Sequence, residues 1–189
     1  MFNAIGRIFR TPDLRRKIGF TLGIVALFRL GSFIPAPFVD FGNVQACLAA
    51  SQGASGLYEL VNLFSGGALL QLSIFALGIM PYITASIILQ LLTVVIPRLE
   101  TLKKEGQAGT AKITQYTRYL TVGLAILQST GIIALARSGQ LLQGCPEPII
   151  PDTPLQMTFT MIAIMTAGTA VIMWLGELIT DRGIGNGMS

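Results

Sequence analysis

Residues 66–92 read GGALLQLSIFALGIMPYITASIILQLL, an uncharged apolar run that opens on two glycines and contains Pro81. A helix in a soluble core needs a polar face, and this run offers only Gln71, Tyr82, Gln90 and a few small hydroxyls. Lipid or other membrane helices must therefore surround it. A broken helix at membrane depth survives only where protein or a water-filled cavity satisfies its freed backbone groups. The run predicts a membrane protein with an interior, either a pore or a binding site.

The composition predicts an integral membrane protein of the all-α class. Of the 189 residues, 52% are hydrophobic and only 12% are charged, against about 25% charged residues in an average soluble domain. At about 20 residues per span, this length suits four transmembrane helices in a polytopic bundle. We expect spans at 18–37, 73–96, 119–136 and 155–178, with a short half-helix at 57–72, outer loops at 38–56 and 137–154, and inner segments at 1–17, 97–118 and 179–189.

The charges predict orientation in a membrane, not binding to nucleic acid. Ten of the thirteen basic residues lie in two segments, before the first span and between the second and third. This is the positive-inside pattern, so we expect the N-terminus and the 97–118 loop to be cytoplasmic. The first span is interpreted as a retained helix because no signal-peptidase site follows it. Arg29 within it either reaches the interface or pairs inside a bundle, and the sequence leaves both open.

Catalytic and cofactor chemistry finds little support in the sequence. The chain has no histidine, and its glycine-rich stretches lack the spacing of a phosphate-binding loop or a dinucleotide fingerprint. Glu177 is the one carboxylate within a predicted span, and we interpret it as a structural charge near the interface. Cys47 and Cys145 fall on predicted outer loops and are either unpaired or disulfide-bonded. We expect no enzyme activity, no cofactor and no metal site.

The broken second span is the remaining candidate. Ile79, Ile83 and Ile87 are each four residues apart and share one helix face, and Pro81 beside them is expected to kink the helix. The ordinary role for such isoleucines is packing or lipid contact, and the alternative is an apolar constriction that gates by dewetting. Spacing alone does not decide between the two.

Four segments resemble the bacterial SecY family, which forms the channel of the Sec protein translocon. They are FRLGSFIPAP at 28–37, NLFSGGALLQLSIFALGIMPYITASIILQLL at 62–92, KKEGQAGTAKITQYTRYLT at 103–121 and WLGELITDRGIGNGMS at 174–189. The resemblance implies the first four helices of a ten-helix channel, built from two inverted five-helix halves around an hourglass pore. The chain stops within a family motif at Gly187-Met188-Ser189, so we expect a fragment whose C-terminal half is missing or separate.

The resemblance also implies roles for individual residues. The isoleucines Ile79 and Ile83 match the apolar pore ring, and Gly66, Gly67 and Pro81 mark the break or kink in the second helix. The plug that blocks the resting channel matches Leu60, Asn62, Phe64, Ser65, Gly66 and Gly67. One wall of the lateral gate matches Ala85, Ile87, Ile88, Gln90 and Leu91. Gln90 there fits a polar contact across the closed gate, or an ordinary interhelical hydrogen bond.

The implied function is a passive channel through which unfolded secretory chains cross the membrane and membrane helices leave sideways. The implied partners are SecE, SecG, the motor SecA, the ribosome, signal peptides, secretory chains, the lipid bilayer and the C-terminal half. The implied location is the bacterial inner (plasma) membrane, with a cytoplasmic N-terminus. Two alternatives stay open, a secondary transporter with a discontinuous helix and a structural subunit or inactive fragment.

Overall fold

The computed structural model describes residues 2–37, 39–40, 42–43, 46, 63, 73–138 and 154–185. Over these residues the fold is all-α, as predicted, and the only extended pairing is an isolated antiparallel bridge between Pro35 and Ser73. The helices, in chain order, are α1 (Phe2–Arg10), α2 (Pro12–Ser32), α3 (Met80–Val95), α4 (Pro97–Lys104), α5 (Gln107–Arg137) and α6 (Leu155–Arg182). In space, α3 packs on α5, α5 on α6, and α6 on α2.

Two of these helices, α5 and α6, are each long and apolar enough to cross a membrane. The pair α3 and α4 makes a third candidate if it is counted as one bent span, so the chain is a multi-pass membrane protein. The first predicted span, 18–37, lies largely in α2. This helix is not apolar enough to count among the candidates for crossing a membrane. Its basic residues are the reason, because Arg15, Arg16, Lys17 and Arg29 interrupt an otherwise apolar sequence.

The second predicted span begins with turns, not with helix. Residues 74–79 form turns, and α3 begins only at Met80, seven residues after the predicted start at 73. Gly78 has a φ of 58°, a left-handed conformation that glycine adopts without steric cost. Pro81 lies in the first turn of α3, where its missing N–H leaves no helical hydrogen bond unmade. The expected kink inside a helix is therefore replaced by a break on the N-terminal side of Pro81.

The turn at 73–79 is held between α2 and α6 through Phe75. The Phe75 ring stacks on Phe28, with centroids 5.8 Å apart and planes inclined by 2°. A Cβ atom added to Gly31 of α2 would lie 1.8 Å from Cε2 of Phe75, and one added to Gly168 of α6 would lie 2.0 Å from the carbonyl oxygen of Ile74. Both glycines are therefore needed for the turn to approach this closely.

Mostly small side chains line the contact between α3 and α5. The buried positions recur every four residues, so each set forms one helix face. On α3 they are Pro81, Ala85, Leu89 and Thr93, and on α5 they include Thr117, Thr121, Ala125 and Ser129. Each buried hydroxyl on α5 donates to the carbonyl four residues earlier, as in Thr121 Oγ1 to Thr117 O at 2.6 Å and Ser129 Oγ to Ala125 O at 2.6 Å. Close packing of small, internally satisfied residues is what associates helices in lipid.

The chain turns sharply after α3. The axes of α3 and α4 differ by 102°, and the break falls at Ile96 and Pro97. In the described part of the chain, the segment 97–118, predicted as a basic loop, is mostly helical, since α4 ends at Lys104 and α5 begins at Gln107. The polar sequence of α4 and its direction both indicate that α3 alone is the apolar part of this pair.

The glycine at position 168 provides a stability test. We expect Gly168→Ala to lower the free energy of unfolding by about 1–3 kcal/mol, because the added methyl group meets backbone that cannot move aside without displacing the turn. Thermal unfolding of the purified protein in detergent measures this. Gly123→Ala on α5 is the matched control, since its Cβ meets nothing within 4 Å, and it should be neutral or stabilising by up to about 1 kcal/mol. Equal effects of the two substitutions would contradict the packing described.

Candidate functional site

The residues expected to form the plug, Leu60, Asn62, Phe64, Ser65, Gly66 and Gly67, lie outside the described residues. The candidate site is therefore built from α3 and the helices around it. Its first component is the start of α3, where the turn at 73–79 gives way to helix.

The two isoleucines expected in the pore ring lie at this start but have different surroundings. Ile79 is the residue before α3, and it packs against the cluster of Phe75 and Ile172. The amide of Ile83 donates to the carbonyl of Ile79 at 3.1 Å, so the two side chains follow each other by one helical turn. Both are half-buried. Ile79 thus contacts protein on one side, while Ile83 faces a cleft.

The residues expected in the lateral gate divide between two faces of α3. Ile87, Gln90 and Leu91 are exposed and, with Val94, follow a spacing of three and four residues along one face. Ala85 lies on the opposite face, fully buried against α5, and Ile88 is partly buried between the two. The structure brings three of the five residues together and adds Val94, which the sequence reasoning did not single out. Its spacing from Ile87 and Leu91 was the available signal.

A cleft of about 610 Å³ opens beside this face, between α3, α5 and α6. Besides Ile83 and Ile87, most of its wall is polar, with hydroxyl groups from all three helices and charges from two. These residues are Tyr82 and Ser86 of α3, Thr110, Thr114 and Arg118 of α5, and Glu177, Thr180 and Asp181 of α6. The cleft therefore joins the apolar start of α3 to a polar, charged surface.

A bidentate ion pair crosses the charged end of the cleft. Arg118 donates from Nε to Oε1 of Glu177 at 2.9 Å and from Nη2 to Oε2 at 2.6 Å. The fork geometry of guanidinium and carboxylate makes this one of the stronger ion pairs available to a protein. Glu177 keeps 20% of its side chain exposed and Arg118 keeps 45%. The carboxylate interpreted as structural in the sequence thus has a partner 59 residues earlier in the chain.

The other end of the same helix pair is also fixed by a polar contact. Arg137, the last residue of α5, donates from Nη1 to Oγ1 of Thr158 at 3.1 Å. Polar contacts therefore join α5 and α6 near both ends, with Met161, Met165 and Thr169 of α6 among the buried residues between them. α3 packs on this pair of helices through α5.

The side chains of the cleft are hydroxyls, one guanidinium and two carboxylates beside two isoleucines. Over the described residues, no group of three His, Cys, Asp or Glu side chains is placed to hold a metal ion. The carboxylate of Glu177 in the cleft is held by Arg118. The rest of the cleft is a hydroxyl-lined recess that leads to the half-buried Ile83.

Comparison with known proteins identifies the family. The SecY family model matches residues 73–189. The protein translocase subunit SecY of Streptomyces scabiei is 68% identical over 191 residues, and that of Mycobacterium tuberculosis strain H37Rv is 62% identical over the same length. Both alignments cover 100% of this chain but only 44% and 43% of those relatives. The chain thus spans less than half the length of the curated relatives it matches.

Two solved structures share the fold at low sequence identity. They are Sec61 in the canine ribosome–channel complex from the endoplasmic reticulum and a protein-conducting channel. Each has a TM-score of 0.60 and 16% identity, and each comparison covers 92% of this chain and 34% of the other. The helix arrangement described above therefore resembles that of about a third of each of these chains.

The ion pair across the cleft is testable by a double-mutant cycle. We expect Arg118→Ala and Glu177→Ala each to destabilise the protein, with a coupling energy of about 1–2 kcal/mol, because each leaves a charge unpaired near apolar helices. Chemical or thermal unfolding in detergent gives the four values required. The exposed pair Lys104 and Glu100, 2.9 Å apart on α4, is the control and should couple by about 0.5 kcal/mol or less. Coupling no larger at the cleft than on α4 would contradict a structural role.

Proposed function

The chain belongs to the SecY family, and we propose that it forms one side of a protein-conducting channel. Unfolded secretory chains would cross the membrane along this side, and membrane helices would leave it sideways into lipid. The observation that supports this most directly is α3, an apolar helix that follows a turn packed between α2 and α6 and exposes Ile87, Gln90, Leu91 and Val94 on one face. The opposite wall would come from the parts of the SecY relatives that this chain does not match.

The pore ring is the part of this proposal with the clearest physical logic. A conduit for arbitrary sequences fails if it binds any one of them tightly, because tight binding stalls transit. Half-exposed isoleucines such as Ile79 and Ile83 offer few specific contacts, and a narrow apolar ring blocks ions by excluding water. The polar cleft beyond Ile83 would keep the translocating chain hydrated until it reaches the ring.

The lateral gate and the plug extend the proposal along the same helix. We assign the exposed face of α3, with Ile87, Gln90 and Leu91, to the gate wall, while Ala85 fixes the back of that wall to α5. Residues 60–67 are proposed as the plug on the family resemblance alone. The chain would act without catalysis, and hydrolysis energy would come from a separate motor.

The proposed partners follow from the family and from the structures that share its fold. We propose SecE, SecG, SecA, the ribosome and signal peptides as partners of the assembled channel, and a ribosome–channel complex is among the similar structures. The proposed location is the bacterial plasma membrane. The basic residues at 7–17 and at 98–118 favour a cytoplasmic N-terminus. A coupled transporter is less favoured, since the carboxylate of Glu177 is already paired with Arg118.

The ring assignment predicts an ion leak. We expect Ile79→Ser combined with Ile83→Ser to raise the resting conductance of the complete channel in planar bilayers, because hydroxyls let water wet the constriction. Val122→Ser combined with Ile126→Ser is the matched control, since these exposed residues of α5 are also four positions apart. The control pair should leave conductance unchanged. Unchanged conductance in the ring variant would remove the ring from the proposal.

The plug assignment predicts a loss of stringency. Deleting residues 60–70 should let the complete channel export precursors with defective signal sequences several-fold better, because the closed state loses its stopper. Export assays in proteoliposomes or in cells measure this with matched intact and defective precursors. Export that stays equally dependent on the signal sequence would show that this segment is not the plug.

A further inference from the structure

The N-terminal helix α1 separates its apolar and polar residues onto opposite sides. Its apolar residues are spaced by three and four positions, which places them on one face. They are Phe2, Ile5, Ile8 and Phe9, and the opposite face consists of Asn3, Gly6, Arg7 and Arg10. All of these residues are exposed, and Phe2 is exposed by 89%. Within the described part of the chain, nothing buries the apolar face.

The charge around α1 indicates what covers that face. Arg7 and Arg10 lie on its polar side, and Arg15, Arg16 and Lys17 follow in the first turns of α2. The same stretch contains a single acidic residue, Asp13. A helix that is apolar on one side and basic on the other complements a membrane surface bearing anionic headgroups, which attract the charges while the acyl region accepts the apolar side chains.

The position of α1 in the chain brings it to that surface. Thr11 between α1 and α2 is extended, with φ −84° and ψ 116°, and Pro12 begins the next helix. The apolar part of α2 starts only a few residues later, at Ile18, and leads into the helix bundle. At nine residues, α1 is about 14 Å long and too short to cross the bilayer. Only Thr11 separates α1 from α2, so α1 lies close to the membrane surface at which α2 enters the bilayer.

We propose that α1 lies in the plane of the membrane interface and binds anionic lipid. Phe2, Ile5, Ile8 and Phe9 enter the boundary between headgroups and acyl chains, and Arg7 and Arg10 face the headgroup phosphates. Helices of this kind insert to a depth of about 5–10 Å. The proposal depends on the chain being in a membrane and not on its conducting protein, so it stands or falls separately from the channel.

Depth-dependent quenching tests the orientation of α1. The protein, with Cys47→Ser and Cys145→Ser, receives an environment-sensitive fluorophore at Phe9→Cys or at Asn3→Cys, on opposite faces. It is reconstituted into vesicles of mixed phosphatidylcholine and phosphatidylglycerol that contain a lipid with a spin label near the top of the acyl chain. We expect quenching to be several-fold stronger at position 9 than at position 3. Equal quenching at both positions, or none at either, would overturn the proposal.

The charge requirement is tested with a label at Ile5→Cys, which keeps both phenylalanines. Each basic residue near an anionic surface favours binding by about fivefold, so Arg7→Gln combined with Arg10→Gln should shift the equilibrium of α1 away from the membrane by about 25-fold. The shift should disappear in pure phosphatidylcholine and shrink at high salt. Binding that is identical in both vesicle types would reject anionic lipid as the ligand.

A second copy of the chain is the competing occupant. Energy transfer between α1 labels would then rise with the amount of protein per vesicle, and labelled lipid would not quench them. That result would show that α1 binds α1 of a second copy and not the membrane. Lys103→Gln combined with Lys104→Gln on α4 is a charge-matched control for the arginine variant. It should leave the α1 label unchanged, and an equal response would show that the effect is one of net charge alone.

Discussion

A peptide group inside hydrocarbon has no water to bond, so a chain that interrupts a helix there must supply partners from its own structure. The turn at 73–79 meets this constraint in several ways. The amide of Ile74 donates to the carbonyl of Ile34 at 3.1 Å, that of Ala76 to Ser73 at 3.0 Å, and that of Gly78 to Phe75 at 2.9 Å. The hydroxyl of Ser73 also accepts from the amide of Phe75 at 3.3 Å. With these bonds made, α3 can begin at Met80 after a turn whose amides are paired.

The packing of α2 and α6 lets this turn lie close against both helices. Gly31 and Gly168 open the space that Ile74 and Phe75 occupy, and Phe28 stacks on the ring from α2. Small residues on α3 and α5 then allow those helices to approach, and the pairing of Arg118 with Glu177 joins α5 to α6. Because both faces of the turn are taken by protein, the unpartnered surface of α3 lies further along, at Ile87, Gln90, Leu91 and Val94.

Much of the fold could be predicted from local sequence, since apolar runs as long as those in α5 and α6 are typical of membrane-spanning helices. The start of α3 could not, because hydropathy does not distinguish apolar turn from apolar helix, although Pro81 also fits the first turn of a helix. Which gate residues are exposed and which are buried depends on the face of α3 that packs on α5. The sequence of α3 alone does not specify that face. Likewise, Gly31, Phe75 and Gly168 are far apart in the chain, as are Arg118 and Glu177. The amphipathic character of α1 is hard to predict because its basic residues fit the positive-inside pattern equally well.

The fixation of Phe75 between two helices has a mechanical consequence. The start of α3 is held in place, and the 16 residues of the helix extend about 24 Å from that point. A tilt of about 10° around that point would leave Ile79 almost in place but carry Val95 by about 4 Å, by the same helix geometry. The sharp elbow at Pro97 would transmit that displacement to α4. Such a tilt would have to slide the buried face of α3, which runs from Pro81 to Thr93, along α5.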